Sequence, residues 1–265
     1  MGSAVAERGF DVLAAITAQS AVVALGRGKL DAKVNRADAL MYAGHAGQEL
    51  GGELSARFEE LARQCEESHK VSYVWRVEDI DSSRRFGELV PQVVLAGSDL
   101  VLEGADISAH LRGASKVAIF ACTLGAGCDR ELRRLGALSP LDQTLYDCCA
   151  SSLAEAGAQE VQELLGEEAA KLGLEARARF SPGYGDLPLS VQPAFLQALD
   201  AGRAIGLGVT ESMLLSPVKS VTAVLGFFDP AAADSSSDPC DLCAARAYCC
   251  YRERGTTCRD SRRRN

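Results

Sequence analysis

Long apolar segments are missing from this 265-residue chain. No stretch of about 18 residues, the minimum for a membrane-spanning helix, lacks polar or charged side chains. The most apolar candidate, residues 10–25, is interrupted by Asp11, Thr17, Gln19 and Ser20, and so predicts an amphipathic or buried helix. The first residues also lack the pattern of a signal peptide, since they balance one Arg with one Glu before a weakly apolar stretch. We therefore expect a cytoplasmic protein without a membrane partner.

Positive charge is scarce except at the end of the chain. The net charge is −8, yet residues 240–265 hold seven Arg against three acidic residues, a balance of +4. The first 239 residues therefore carry −12, and such a body repels nucleic acid and acidic membranes. A short basic terminus is usually only solvated, so we expect no nucleic-acid partner.

The ten cysteines fall into two groups of five. The first group lies in apolar segments, where a thiol behaves as a small buried hydrophobe: Cys65, Cys122, Cys128, Cys148 and Cys149. The second group is confined to 19 residues at the end, spaced Cys-x₂-Cys-x₅-Cys-Cys-x₇-Cys. Four thiolates at such spacing can form a tetrahedral site, so Cys240, Cys243, Cys249 and Cys258 are predicted to bind zinc or an iron–sulfur cluster. A thiol-rich tail without metal is the alternative.

Helices and strands are mixed along the chain without the strict alternation of a parallel α/β fold. Helices are predicted in the first thirty residues, before a turn-rich link at 26–31, and at 35–44, 52–67, 105–114 (begun by Asp106), 139–171 and 190–200. Strands are predicted at 71–79 (half-buried), 88–97, 99–104, 117–122 and 218–228. This pattern favours an α+β fold in which helices pack against a mainly antiparallel sheet.

The longest predicted helix has a clear start. Ser139 suits the N-cap, Pro140 the first helical position and Asp142 the positive end of the helix dipole. Its apolar face bears Leu145, Cys149, Ser152, Leu153 and Ala156, and Glu155 falls at the edge of that face. Periodicity alone indicates that Glu155 is a solvated surface residue, with a cleft position as the alternative.

Glycine occurs in two segments that suggest ligand-binding loops. Gly125 and Gly127 match the first two glycines of a dinucleotide fingerprint, but Arg130 stands at the third, so a strand-to-helix turn is the better interpretation. Residues 177–190, in contrast, hold two Gly, two Pro, a Tyr and two Arg, which predicts a shaped loop with fixed turns.

Three segments in fixed order carry a family resemblance: LAEAGAQE at 153–160, RFSPGYGDLP at 179–188 and GLGVTESMLLSPVKSVTAV at 206–224. Together they resemble the S-adenosylmethionine-binding activation domain of cobalamin-dependent methionine synthase, over about residues 99–228. The resemblance implies that domain's fold. Residues 1–98 would belong to the same compact unit, 99–229 would bind S-adenosylmethionine, 230–239 would be a linker, and 240–265 a Cys-rich basic tail.

The resemblance also implies which residues bind the ligand. A guanidinium pairs with a carboxylate in bidentate fashion, so Arg179 is the expected anchor of the ligand's carboxylate. Gly183 permits close approach of the backbone, and Tyr184 offers a hydroxyl or a ring face to a cation. Glu155 would meet the ammonium or a ribose hydroxyl. The predicted site further includes Ser181, Thr210, Glu211 and Ser212, the last three with turn-forming and surface roles as the alternative.

Missing motifs narrow the implied function. The chain has no Asp-x-His-x-x-Gly for cobalamin, no Cys-x₃-Cys-x₂-Cys of radical enzymes and no glycine-rich methyltransferase loop. The resemblance thus implies a component of a methyltransferase, a reactivation subunit that presents a methyl group to cobalamin on a partner methionine synthase or related corrinoid protein. An electron donor such as flavodoxin or ferredoxin would assist. The alternatives are a cysteine-cluster electron-transfer protein and a non-catalytic S-adenosylmethionine-binding module.

Overall fold

The computed structural model describes residues 22–45, 48, 51–82, 90–98 and 100–232. In chain order the described strands are β1 (Val22–Leu30), β2 (Val71–Asp79), β3 (Gln92–Val94), β4 (Val101–Glu103), β5 (Lys116–Thr123), β6 (Glu175–Ala176), β7 (Gly208–Val209), β8 (Leu215–Ser216) and β9 (Ser220–Phe228). The helices are α1 (Arg36–Tyr42), α2 (Gly52–Ser68), α3 (Ala105–His110), α4 (Ala126–Leu138), α5 (Pro140–Lys171), α6 (Gln192–Ala198) and α7 (Ala201–Ile205). The part of the first predicted helix before residue 22 and the cysteine tail lie outside the described residues. Residues 22–25, which were also predicted to be helical, belong to strand β1 instead.

A five-stranded antiparallel sheet forms the centre of the fold, in the order β1-β2-β5-β9-β6. Two short antiparallel pairs, β3-β4 and β7-β8, lie beside it. The central strands bury both faces, because alternate residues enter two separate clusters. Phe120 and Leu225 point into the cluster with α2, α4 and α5, whereas Ile119 and Val224 point into the cluster with α3, α6 and α7. The predicted mixed fold with a mainly antiparallel sheet is confirmed.

The burial of both faces corrects one detail of the sequence prediction. β2 was expected to alternate between core and solvent, with Tyr73 and Trp75 facing inward. The opposite face is also covered, since Val74 and Glu78 are buried there. Glu78 avoids the cost of an unpaired buried charge by forming an ion pair with Arg76 at 2.7 Å and accepting hydrogen bonds from Gly97 N and Ser98 Oγ.

The turn-rich link predicted at residues 26–31 is wrong: most of it belongs to edge strand β1. Gly26 and Gly28 pair across the sheet with Trp75 and Tyr73. A Cβ built on Gly26 would lie 2.5 Å from Trp75 Cζ2, and one on Gly28 would lie 2.8 Å from the Tyr73 hydroxyl. These glycines therefore make room for aromatic rings on the neighbouring strand rather than forming a turn.

Helix α5 crosses the sheet and begins as predicted. The Ser139 hydroxyl accepts a hydrogen bond from Asp142 N at 3.2 Å, and Pro140 is the first helical residue. Ser152 on its buried face accepts from Asn35 N and donates to Asn35 O, which fixes the start of α1 against α5. Gly157 lies directly over Val71 of β2. Helix α5 thus connects the first part of the chain with the sheet.

The first five cysteines are all free and buried, as predicted. Burial raises the pKa of Cys122, Cys128 and Cys149 to about 12, so these thiols stay protonated near neutral pH. Gly125 is the N-cap of α4, just after β5, and Gly127 is the second residue of that helix, so the strand-to-helix interpretation is confirmed.

Candidate functional site

Glu155 and Arg179 form an ion pair between α5 and the loop after β6. Arg179 Nη2 lies 2.5 Å from Glu155 Oε2, and Nη1 lies 3.4 Å from Gln159 Oε1. The Arg179 side chain is 15% exposed and that of Glu155 is 34% exposed. The structure therefore brings together the two charged residues that the sequence singled out. Their predicted contacts with a ligand stay predictions.

The loop that carries Arg179 has the fixed turns that its sequence predicted. Gly183 N donates to Leu187 O and Leu187 N to Tyr184 O, so the loop closes on itself. Gly183 adopts a φ of +92°, a left-handed conformation that glycine takes without strain. Phe180 exchanges two backbone hydrogen bonds with Val224 of β9, which ties the loop to the sheet.

The same loop supplies the cap of α3. Asp186 accepts hydrogen bonds from Ala105 N at 2.5 Å and Asp106 N at 3.1 Å. The N-cap position is Gly104, which has no capping side chain, so the prediction that Asp106 starts this helix is wrong. The capping carboxylate comes instead from a residue about eighty positions further along the chain, which local sequence does not indicate.

The remaining predicted site residues fall into two places. Ser181 and Tyr184 belong to the same loop turn, since Tyr184 N donates to Ser181 O, and the Tyr184 side chain is 61% exposed. Thr210, Glu211 and Ser212 form the turn of the β7-β8 hairpin, where Thr210 Oγ1 bonds Ser212 Oγ at 2.9 Å and accepts from Leu214 N. The hydroxyls of that hairpin thus bond within the turn, and the predicted site role of these three residues stays a prediction.

A cleft of about 340 Å³ opens beside Glu155. Its walls come from the end of α1, one face of α5 and the start of β9: Tyr42, Ser151, Ala154, Glu155, Val218, Lys219, Ser220 and Val221. Of the predicted site residues, Glu155 alone is among the eight that line it. The volume lies within the range of about 300–1,000 Å³ that is usual for small-molecule sites.

Lys219 is the functional candidate that the sequence analysis missed. Its ammonium donates to Ser151 Oγ at 2.7 Å and lies 2.8 Å from Asp147 Oδ1, both on α5. The side chain is only 10% exposed. A partial signal was present, because Ser151 stands one helical turn before Glu155 and Lys219 lies at the start of the strand predicted at 218–228. Nothing local in the sequence shows that the two segments meet.

Comparisons with known proteins identify the fold. No family model matches the chain, and no curated protein matches it. Among solved structures, the crystal structure of the MetH reactivation domain bound to AdoHcy matches with a TM-score of 0.54 and 18% sequence identity. The match covers 94% of this chain and 93% of that one. The chain has the fold of the MetH reactivation domain. The predicted fold is thereby confirmed.

Two further predictions concern metals and membranes. The predicted ligands Cys240, Cys243, Cys249 and Cys258 lie outside the described residues, and within the described ones no three His, Cys, Asp or Glu side chains cluster as a metal site would require. In that same part of the chain, no helix has both the length and the apolar character needed to cross a bilayer.

Proposed function

We propose that this chain binds S-adenosylmethionine in the cleft beside Glu155 and serves the reductive methylation of cobalamin on a partner methionine synthase or related corrinoid protein. The observation that carries the proposal is the Glu155–Arg179 pair next to a ligand-sized cleft, in the fold of a domain whose solved structure holds AdoHcy. The three sequence segments of the resemblance support the same assignment.

The charges of the site suit this ligand. S-adenosylmethionine carries an ammonium, a carboxylate and a sulfonium, so its binding site needs both signs of charge at close range. Glu155 supplies a carboxylate in the wall of the cleft, and Arg179 holds that carboxylate in place from the loop. The loop itself is fixed by Gly183 and by its cap on α3, so it is organised before the ligand arrives.

The role of the protein in the reaction is to bind the ligand and to orient it. When bound, S-adenosylmethionine supplies an electrophilic methyl group that a reduced corrinoid accepts. The cleft and the adjacent loop would hold the amino-acid end of the ligand and leave its methyl directed outward to a partner. No proton donor is needed for this role, and each of the three histidines already has a hydrogen-bond partner: His45 the Gln48 carbonyl, His69 the Tyr146 hydroxyl and His110 the Ala178 carbonyl.

Calorimetry of the full chain with S-adenosylmethionine tests the binding. Arg179→Ala should weaken binding, because it removes the guanidinium that holds the Glu155 carboxylate in place in the wall of the cleft. Arg57→Ala is the matched control, because it also breaks an Arg–carboxylate pair on α5, with Asp142 at the distant first turn of the helix. Equal affinity in wild type and Arg179→Ala would contradict the proposed site.

A second measurement separates the reactivator from the two alternatives. Methyl transfer from bound S-adenosylmethionine to a reduced corrinoid protein is expected only of a reactivator. A module that only senses the ligand would bind it without transfer. A cysteine-cluster electron carrier would reduce the corrinoid in the absence of S-adenosylmethionine.

A further inference from the structure

Besides Glu155, the wall of the cleft contains a second charged side chain, Lys219. Lysine is seldom buried to this extent unless its ammonium is paired, and here α5 supplies both partners, the Ser151 hydroxyl and the Asp147 carboxylate. The ammonium has three N–H donors, and two of them meet these partners. Among the described residues no third acceptor is found for it, so one N–H is left for a ligand.

Lys219 and Glu155 present opposite charges in the wall of the same cleft. Ser151 and Glu155 are four residues apart on α5, which separates them by about 6 Å along the helix axis on the same face. The Lys219 ammonium is held at Ser151, one turn before the position of Glu155 on the helix. Both residues line the cleft. An α-amino acid bears its ammonium and carboxylate on one carbon, so opposite charges in the wall of one small cleft can meet both groups.

Arg179 is less well placed for a carboxylate in this cleft. Its guanidinium is engaged by Glu155 and Gln159, and it is not among the eight residues that line the cavity. We propose that Lys219 binds the carboxylate of the α-amino-acid part of the ligand, while Glu155 binds its ammonium. Arg179 then acts on the ligand through Glu155. This inference rests on the proposed function and assigns the carboxylate to a residue that the sequence had not singled out.

The test compares two ligands on the full chain by calorimetry: S-adenosylmethionine and its decarboxylated analogue, which lacks only the carboxylate. Wild-type protein should prefer the complete ligand by about 30-fold, as expected for a charged hydrogen-bonded pair in a partly buried site. Lys219→Met should bind both ligands with equal affinity, close to that of the wild type for the analogue. Lys219→Arg should keep the preference, because it keeps the charge.

Two controls separate recognition from structure. Arg179→Met should weaken both ligands and keep the preference between them. Lys219→Gln retains a hydrogen bond to Ser151 and replaces Lys219→Met if urea unfolding shows that the latter does not fold; it too should lose the preference.

The outcomes distinguish this inference from the proposed function. Failure of the wild type to bind S-adenosylmethionine contradicts the proposed function, and the inference falls with it. Binding by the wild type together with an undiminished preference in both Lys219→Met and Lys219→Gln overturns the inference alone. Loss of the preference in Arg179→Met but not in the Lys219 variants would return the carboxylate to Arg179.

Discussion

The close approach of α5 to β2 leads to a sharp prediction about stability. A Cβ built on Gly157 would lie 2.5 Å and 2.6 Å from the two Cγ atoms of Val71, far inside van der Waals contact. Gly157→Ala should gain about 1 kcal/mol from helix propensity and lose about 1–3 kcal/mol to overpacking. We expect a net loss of up to about 2 kcal/mol in the free energy of unfolding, measured by urea denaturation. Because α5 also carries Glu155, the same variant should bind S-adenosylmethionine more weakly.

The chain offers a matched control in the same helix. A Cβ on Gly166 would meet no atom within 4 Å, so Gly166→Ala should show the propensity gain alone, about 1 kcal/mol of added stability. Adding Val71→Ala to Gly157→Ala should restore part of the loss, since it removes the two methyl groups that obstruct the new Cβ. If Gly157→Ala stabilises the protein as much as Gly166→Ala does, the inferred close packing of α5 on the sheet is refuted.

Three further predictions follow from the site, the histidines and the tail. Tyr184→Phe should slow methyl transfer more than it weakens S-adenosylmethionine binding, as single-turnover rates and calorimetry can show, because in the proposed site the exposed hydroxyl would orient the ligand. Burial lowers the pKa of His69 and His110, so the unfolded chain binds protons at a higher pH than the folded chain does. The free energy of unfolding, measured by urea titration, should therefore fall as the pH is lowered from 7.5 to 5.5. An unfolding free energy that does not change over this range would contradict the prediction. Protein purified without oxygen should contain iron or zinc bound by the cysteine tail. Removing residues 231–265 should abolish metal binding and leave S-adenosylmethionine binding intact. A metal-free preparation of the full chain would refute the predicted cysteine site.

Several elements of the fold could be predicted because their signals are local. The start of α5 is encoded by Ser139, Pro140 and Asp142, and the apolar runs of β5 and β9 are long enough to require burial. The order of the strands in the sheet has no such local signal. It depends on pairings such as β5 with β9, which are about a hundred residues apart, so no local pattern indicates it.

The errors of the sequence analysis share one physical cause, which is that each depends on a contact between residues far apart in the sequence. Gly26 and Gly28 were interpreted as turn residues because glycine usually marks turns, yet here it leaves space for aromatic rings across a strand pair. The cap of α3 comes from Asp186, far along the chain, so no pattern around residue 106 could show it. Lys219 was overlooked for the same reason, because its partners on α5 lie about seventy residues earlier.

The segment that carries Lys219 is fixed from several directions, and this bears on how the cleft would bind. Val218 N donates to the Asp129 carboxylate of α4, at 3.2 Å to Oδ2. Ser220 Oγ donates to Thr123 Oγ1 at the end of β5, while the Lys219 ammonium reaches α5. Three neighbouring residues are thus held by three different elements. A ligand that enters the cleft would therefore order little of the chain, and most of the attraction between its charges and those of the wall would remain as binding free energy.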